Sequence, residues 1–253
     1  MCGRYELHTH PAALALAFGL PHPPDITPRY NIAPMQNVPV IRRAADGARE
    51  LAQVRWGLVP RWAKDPSIGA RMINARGETI AIKSAFRRPF ERHRCLMPAD
   101  GFYEWKTLPG GRKVPFHVTM KDGRPFAFAG LAERWLGADG EVIDSCAIVT
   151  TAANALLRPV HERMPVIVAP GDYERWLDVS GEPPLDVVAP FASEAMAMQP
   201  VSTRVNSVRN DDPGLLAPVA ADAADAVDGA EEVAPEDAVT APRVADSPQR
   251  DLF

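Results

Sequence analysis

The sequence predicts an α+β fold: a mainly antiparallel β core with flanking short helices, followed by a disordered acidic C-terminal tail. Three observations carry that prediction. Short β-prone runs outnumber helical ones and do not alternate with them regularly, which disfavours a doubly wound sheet. Hydrophobic residues make up 46% and charged residues 24% of the 253 residues, enough to build a core. The acidic charge is concentrated at one end. Residues 1–216 hold 26 Lys+Arg and 23 Asp+Glu, whereas residues 217–253 hold 2 and 9.

The elements follow in order. Over Pro11–Phe18, Pro sits in a first turn, Leu14 and Phe18 stand four apart, and Gly19 follows as a stop, which predicts a helix. Val54, Trp56 and Leu58 alternate with Arg55 and Gly57, a strand period. Glu78–Phe86 suits a short helix. Phe102–Trp105, Phe116–Met120, Phe126–Leu131 and Ala147–Thr150 are β-prone runs between Pro, Gly and Asp turns. Tyr173–Leu177 reads as a helix after the Pro170-Gly171 break. From Ala217 onward the chain is mostly Ala, Asp, Glu, Val and Pro, without an aromatic residue before Phe253. Such a segment buries too little to fold, with a short Ala-rich helix over 219–227 as the other reading. The organisation expected is therefore a domain over 1–216, an acidic linker over 217–247 and a terminal peptide over 248–253.

Composition excludes several classes. The net charge of −4 excludes a uniformly basic nucleic-acid binder, although the 1–216 segment alone is mildly basic. Three cysteines are too few for a disulfide scaffold, so a reducing, cytoplasmic setting is expected. No apolar run approaches the ~18 residues of a membrane helix, and Met1–His10 lacks signal-peptide character. Cys95 and Cys146 lie in apolar strand contexts and read as buried thiols. No CxxC or HxxxH spacing supports a metal, and no cofactor is expected.

The chemistry concentrates at Met1-Cys2-Gly3-Arg4. Removal of Met1 would leave Cys2 with a free α-amine beside its thiol. The reference pKa values, about 7.7–8.0 and about 8.5, give both groups nucleophilic fractions near neutral pH. A 1,2-aminothiol can attack an amide through its thiol. It can also condense with an aldehyde and close to a thiazolidine. A cysteine that merely happens to sit second stays open as the plain alternative.

Seven motifs narrow this choice. They are the Met1–Tyr5 start, Arg29-Tyr30-Asn31-Ile32-Ala33-Pro34, Trp56-Gly57-Leu58-Val59-Pro60 with Trp62, Asn74-Ala75-Arg76-Gly77-Glu78-Thr79, Pro98–Trp105, Ile148–Ala152 and His161-Glu162-Arg163-Met164-Pro165. In order and spacing these resemble the SRAP (SOS response-associated peptidase) family of abasic-site processing proteins, over roughly 1–216. The resemblance implies a covalent link from Cys2 to the ring-opened sugar of an abasic site in single-stranded DNA. It also implies Glu104 as the catalytic glutamate, Asn74 positioning the opened sugar and His161 assisting ring opening or reversal. A peptidase activity tied to removal of residues before Cys2, and a lyase chemistry tied to the imine, come with the family.

The residues alone allow plainer roles. Glu104 sits in Phe102-Tyr103-Glu104-Trp105, where burial would raise its pKa, or it is an exposed strand residue. Asn74 could be a turn or cap residue. His161 is one of six histidines; His8, His10, His22, His93 and His117 read as structural or surface residues. Arg4, Arg76 and Arg163 are expected to hold phosphates, and Pro34 and Trp62 to stack or wedge against a neighbouring base, with core packing as the other role for Trp62. Arg87, Arg88 and Arg92 form a weaker basic cluster. The terminal Gln249-Arg250-Asp251-Leu252-Phe253 is close to the peptide by which bacterial proteins dock on the sliding clamp, with Gln249, Leu252 and Phe253 as anchors. The expected protein is a monomer at the nucleoid or replication fork. Two other classes stay open: an N-terminal-nucleophile amidohydrolase of the glutamine amidotransferase type, and a clamp-tethered module that binds single strands without a covalent step.

Overall fold

The computed structural model describes residues 2–219; most of the acidic segment and the terminal Gln249–Phe253 peptide lie outside the described residues. In chain order the strands are β1 (Tyr5–Leu7), β2 (Arg29–Ile32), β3 (Asn37–Arg43), β4 (Arg49–Trp56), β5 (Asn74–Arg76), β6 (Arg94–Ala99) and β7 (Gly101–Thr107). They continue with β8 (Lys113–Met120), β9 (Phe126–Leu136), β10 (Val142–Ala152), β11 (Arg163–Pro165), β12 (Ile167–Val168) and β13 (Met196–Pro200). The helices are α1 (Pro11–Phe18), α2 (Arg87–Arg92) and α3 (Tyr173–Leu177). The fold is α+β with a mainly antiparallel sheet content.

One sheet has the order β13-β8-β7-β1-β2, every pair antiparallel. The other has the order β11-β10-β4-β3-β6-β9-β12, and β10 also pairs with β9. That last pairing closes β10, β4, β3, β6 and β9 into a ring, which leaves those five strands without open edges. Two pairings depart from the antiparallel rule: β10 runs parallel to β4 and to β5. The main core lies between the two sheets, with Tyr5 edge-on to Trp56 and Phe128, and Phe102 edge-on to Phe126 and Phe128.

Several element limits have an identifiable cause. Pro11 opens α1, and Gly19, at φ 62°, ends it in the left-handed region that favours glycine. The alternating run expected over Val54–Leu58 lies in a longer strand that stops at Trp56. Gly57 takes φ 141°, and a Cβ there would lie 2.8 Å from the Gly69 carbonyl oxygen. The helix expected over Glu78–Phe86 does not form. Gly77–Thr79 makes a single 3-10 turn, further turns follow, and the helix begins only at Arg87. Ile80 is buried whereas Ile82 is 76% exposed, and β-branched Thr79, Ile80 and Ile82 disfavour a helix. The basic cluster Arg87, Arg88 and Arg92 is thus α2 itself.

The segment after β13 returns across the first sheet. Val201, Val205 and Leu215 pack on Tyr103. Pro218 bridges to Val201 and the Val219 N–H donates to the Pro200 carbonyl, so backbone pairing runs three residues past the compositional boundary at 216. Among the described residues no helix is long and apolar enough to cross a membrane.

Candidate active site

The site forms where β1, β5, β7 and the segment before β11 meet. Cys2 precedes β1 and is fully buried. Burial pushes its thiol far above the usual range, and the negative charge of Glu104 adds to that shift. Glu104 comes from β7, whose neighbours Phe102 and Tyr103 are fully buried; its own side chain is 3% exposed. Burial raises the pKa of its carboxyl, opposed by nearby positive charge that includes His161. The sequence-based expectation of a desolvated glutamate holds, and the exposed-strand alternative does not.

Asn74 opens β5, which is held beside β10 by the pairing of Asn74 with Ile148. Its Nδ2 donates to the Cys2 carbonyl at 2.9 Å. Its Oδ1 is buried and has no hydrogen-bond partner among the described residues. This contact joins two residues 72 positions apart, and it is more than a turn or cap role. His161 accepts the Arg163 backbone N–H on Nδ1 at 2.9 Å. Cys2, Asn74, Glu104 and His161 therefore converge, one from each of four separate chain segments.

The arginines differ in availability. Arg76 is exposed and has no ion pair among the described residues. Arg4 donates through Nη1 to Asn31 Oδ1 and to the Val205 carbonyl, each at 2.7 Å, and lies 5.8 Å over the Trp105 ring. Arg163 grips the Glu78 carboxylate at 2.8 and 3.0 Å and the Thr150 carbonyl at 2.8 Å. That bond holds the Glu78 carboxyl below its usual range. Arg4 and Arg163 thus commit donors to fixing the walls of the site. Trp62 is 54% exposed, which excludes core packing, and Pro34 is half-buried beside exposed Met35.

Sequence reasoning gave Asn31 no role. It is fully buried, and its Nδ2 donates to the Ser207 and Asn210 carbonyls, so it ties Arg4 and β2 to the returning C-terminal segment. Its place in the Arg29–Pro34 motif was the available signal. Cys95 and Cys146 are buried in the core, with Cys95 pushed up to about 12 by burial. His117 is buried against Glu6 at 2.7 Å, a structural role; His8 lies 3.5 Å from the same carboxylate.

Residues 1–208 match the SOS response associated peptidase (SRAP) family. The chain belongs to that family. Abasic site processing protein YoqW of Bacillus subtilis is 39% identical over 222 residues, covering 85% of this chain and 99% of the relative. Abasic site processing protein YedK of Escherichia coli is 31% identical over 229 residues, covering 87% and 100%. A crystal structure of a Bacteroides thetaiotaomicron protein superposes with a TM-score of 0.77 at 26% identity, covering 87% of this chain and all of that one. All four converging side chains fall inside the matched span.

Proposed function

We propose that this SRAP chain processes abasic sites: it traps the ring-opened sugar aldehyde in single-stranded DNA as a thiazolidine on Cys2. The observation that supports this best is the convergence of buried Cys2 and Glu104 with half-buried Asn74 and His161. Once Met1 is removed, the Cys2 α-amine adds to the aldehyde carbon and gives a carbinolamine. Glu104, whose burial favours its protonated form, donates a proton to the departing hydroxyl, and water leaves as the iminium forms. The Cys2 sulfur then bonds to the iminium carbon. Its proton returns to Glu104, and the ring nitrogen keeps the hydrogen it already carried. Amine, thiol and aldehyde are consumed, and one water is released.

Burial suits this order of events. The thiol rests protonated, so the amine acts first, and the carboxylate left after dehydration is the base that frees the sulfur. Asn74 Oδ1 accepts a hydrogen bond from the hydroxyl released by ring opening, and His161 exchanges a proton with the ring oxygen. Arg76 contacts phosphate. Arg4 and Arg163 contribute the positive field and hold the pocket walls, while Trp62 and Pro34 meet the neighbouring bases. Self-removal of Met1 is the peptidase step, and strand cleavage through the imine is the lyase step. Gln249, Leu252 and Phe253 form the sliding-clamp anchor of this reading, which places the protein at the replication fork. A peptide of the last ten residues should bind the clamp, and its Leu252→Ala/Phe253→Ala form should not.

Intact mass spectrometry tests the chemistry. The wild-type protein should lose Met1 and, with an abasic oligonucleotide, gain the oligonucleotide mass less one water. Cys2→Ala should give no adduct that survives denaturant. An equal adduct from Cys2→Ala would overturn the mechanism.

A further inference from the structure

A second feature lies away from the catalytic cluster. A cavity of about 670 Å³ opens where the N-terminal half of β10 meets the ends of β3, β6 and β9. This is the size range of pockets that enclose small ligands, about 300–1,000 Å³. Its lining holds seven arginines and three carboxylates. Each carboxylate is already matched: Arg42 with Glu50, Arg88 with Glu133 and Arg134 with Asp144, all at 2.7 Å. Of the four arginines left over, Arg43 pairs with Glu174 outside the cavity, and Arg94 directs its donors at backbone carbonyls. Arg61 and Arg92 are exposed and have no ion pair among the described residues. Between the arginines the wall is apolar, with Val54, Leu136 and Leu177. Forked donors around an apolar wall suit phosphates that carry flat bases.

The position of Arg61 links this cavity to the site already described. The loop after β4 is pinned to β9 and β10 by three bonds. The Gly57 N–H donates to the Cys146 carbonyl at 2.9 Å, the Val59 N–H to Ser145 Oγ at 2.8 Å, and Trp135 Nε1 to the Ala63 carbonyl at 2.7 Å. Arg61 and exposed Trp62 are adjacent on that loop, one lining the cavity and the other assigned to a flanking base. Asp144 lines the cavity and Thr150 accepts from Arg163 beside the catalytic cluster. Six residues of strand separate them, roughly 20 Å at about 3.3 Å each. That is a span of about six nucleotides at the ~3.4 Å spacing of a stacked strand.

We infer that the arginine-lined cavity is a second phosphate-binding site, which holds the same single strand about six nucleotides from the lesion. Trp62 and Arg61 mark the path between the two sites. The inference rests on the proposed function for the identity of the strand, and on the cavity for the place of contact.

The test compares the full-length wild type with Arg61→Ala/Arg92→Ala on two probes. An intact 20-nucleotide single strand reads binding without chemistry. A 5-nucleotide strand with a central abasic site is too short to reach the cavity and reads the crosslink. The double variant should bind the 20-mer at least about tenfold more weakly at low salt. Its plot of log affinity against log salt should flatten by about 1.4, the loss of two phosphate contacts on a single strand. Adduct yield on the 5-mer should be unchanged. Equal 20-mer affinity and salt slope in the two proteins would overturn the inference. So would saturation of the cavity by a free mononucleotide that the 20-mer cannot displace, since the site would then belong to a small ligand. Failure of the proposed function shows separately, as absence of 5-mer adduct in both proteins while the 20-mer comparison still reads the cavity.

Discussion

In the proposed mechanism Glu104 concentrates the chemistry at the scale of a single residue. Burial raises its pKa, so the folded state binds a proton that the unfolded chain would release. For a carboxyl raised in this way the sign is the reverse of an ordinary surface acid. Its contribution to stability is full below the unfolded pKa, about 4.3, and declines as pH rises toward the folded value. Glu104→Gln should therefore raise the melting temperature at pH 7 by about 2–4 °C, the equivalent of ~1 kcal/mol in a domain of this size. The gain should vanish near pH 4, which melting curves at the two pH values check. The same variant should slow adduct formation by about 10²–10⁴-fold in single-turnover kinetics, because dehydration loses its proton donor. Asn74→Asp is the companion change. It keeps the shape but replaces the Nδ2 donor to the Cys2 carbonyl with an acceptor. Adduct formation should fall by at least about tenfold, with a melting temperature lowered by a few degrees.

At the scale of elements, the turn after β4 decides where Arg61 and Trp62, the two residues proposed to meet DNA, stand. Gly57 takes φ 141° and packs against the Gly69 backbone, and the Met35 sulfur would also lie 2.9 Å from any Cβ placed there. Gly57→Ala should cost about 2–4 kcal/mol, from backbone strain and a clash that no side-chain rotation relieves. Denaturant unfolding checks this. Because the loop carries Arg61 and Trp62, affinity for intact single strands should fall with it. Motif and spacing pointed to Trp56-Gly57 as a unit, and alternation pointed to a strand. Neither could indicate that the strand stops at Trp56, because the cause is a contact with Gly69, twelve residues on. The helix expected over Glu78–Phe86 failed for a related reason. Its residues are drawn to different surroundings: Ile80 is buried while Ile82 faces solvent.

At the scale of the whole molecule, the returning segment 201–219 acts as a clasp. Val205, Ser207 and Asn210 present carbonyls to Arg4 and Asn31, and Val201, Val205 and Leu215 cover Tyr103. A chain ending at Val201 should lose several kcal/mol against one ending at Val219, with Arg4 released and adduct formation lost; thermal melts and the crosslinking assay compare the two. The sequence by itself determined the fold class, the α1 and α3 helices, the buried thiols of Cys95 and Cys146, and the family through seven ordered motifs. These depend on local pattern, on composition or on residue identity. Only the tertiary structure decided that Asn74 meets Cys2, that Arg163 is held by Glu78 and Thr150, and that seven arginines from separate strands, turns and helices surround one cavity. Those outcomes depend on which strands pair, above all on the closure of β10 against both β4 and β9. The pairing of β10 with β4 joins segments far apart in the chain, Ser145 beside Arg55. It is set by the packing of the whole core, and no local spacing along the chain encodes it.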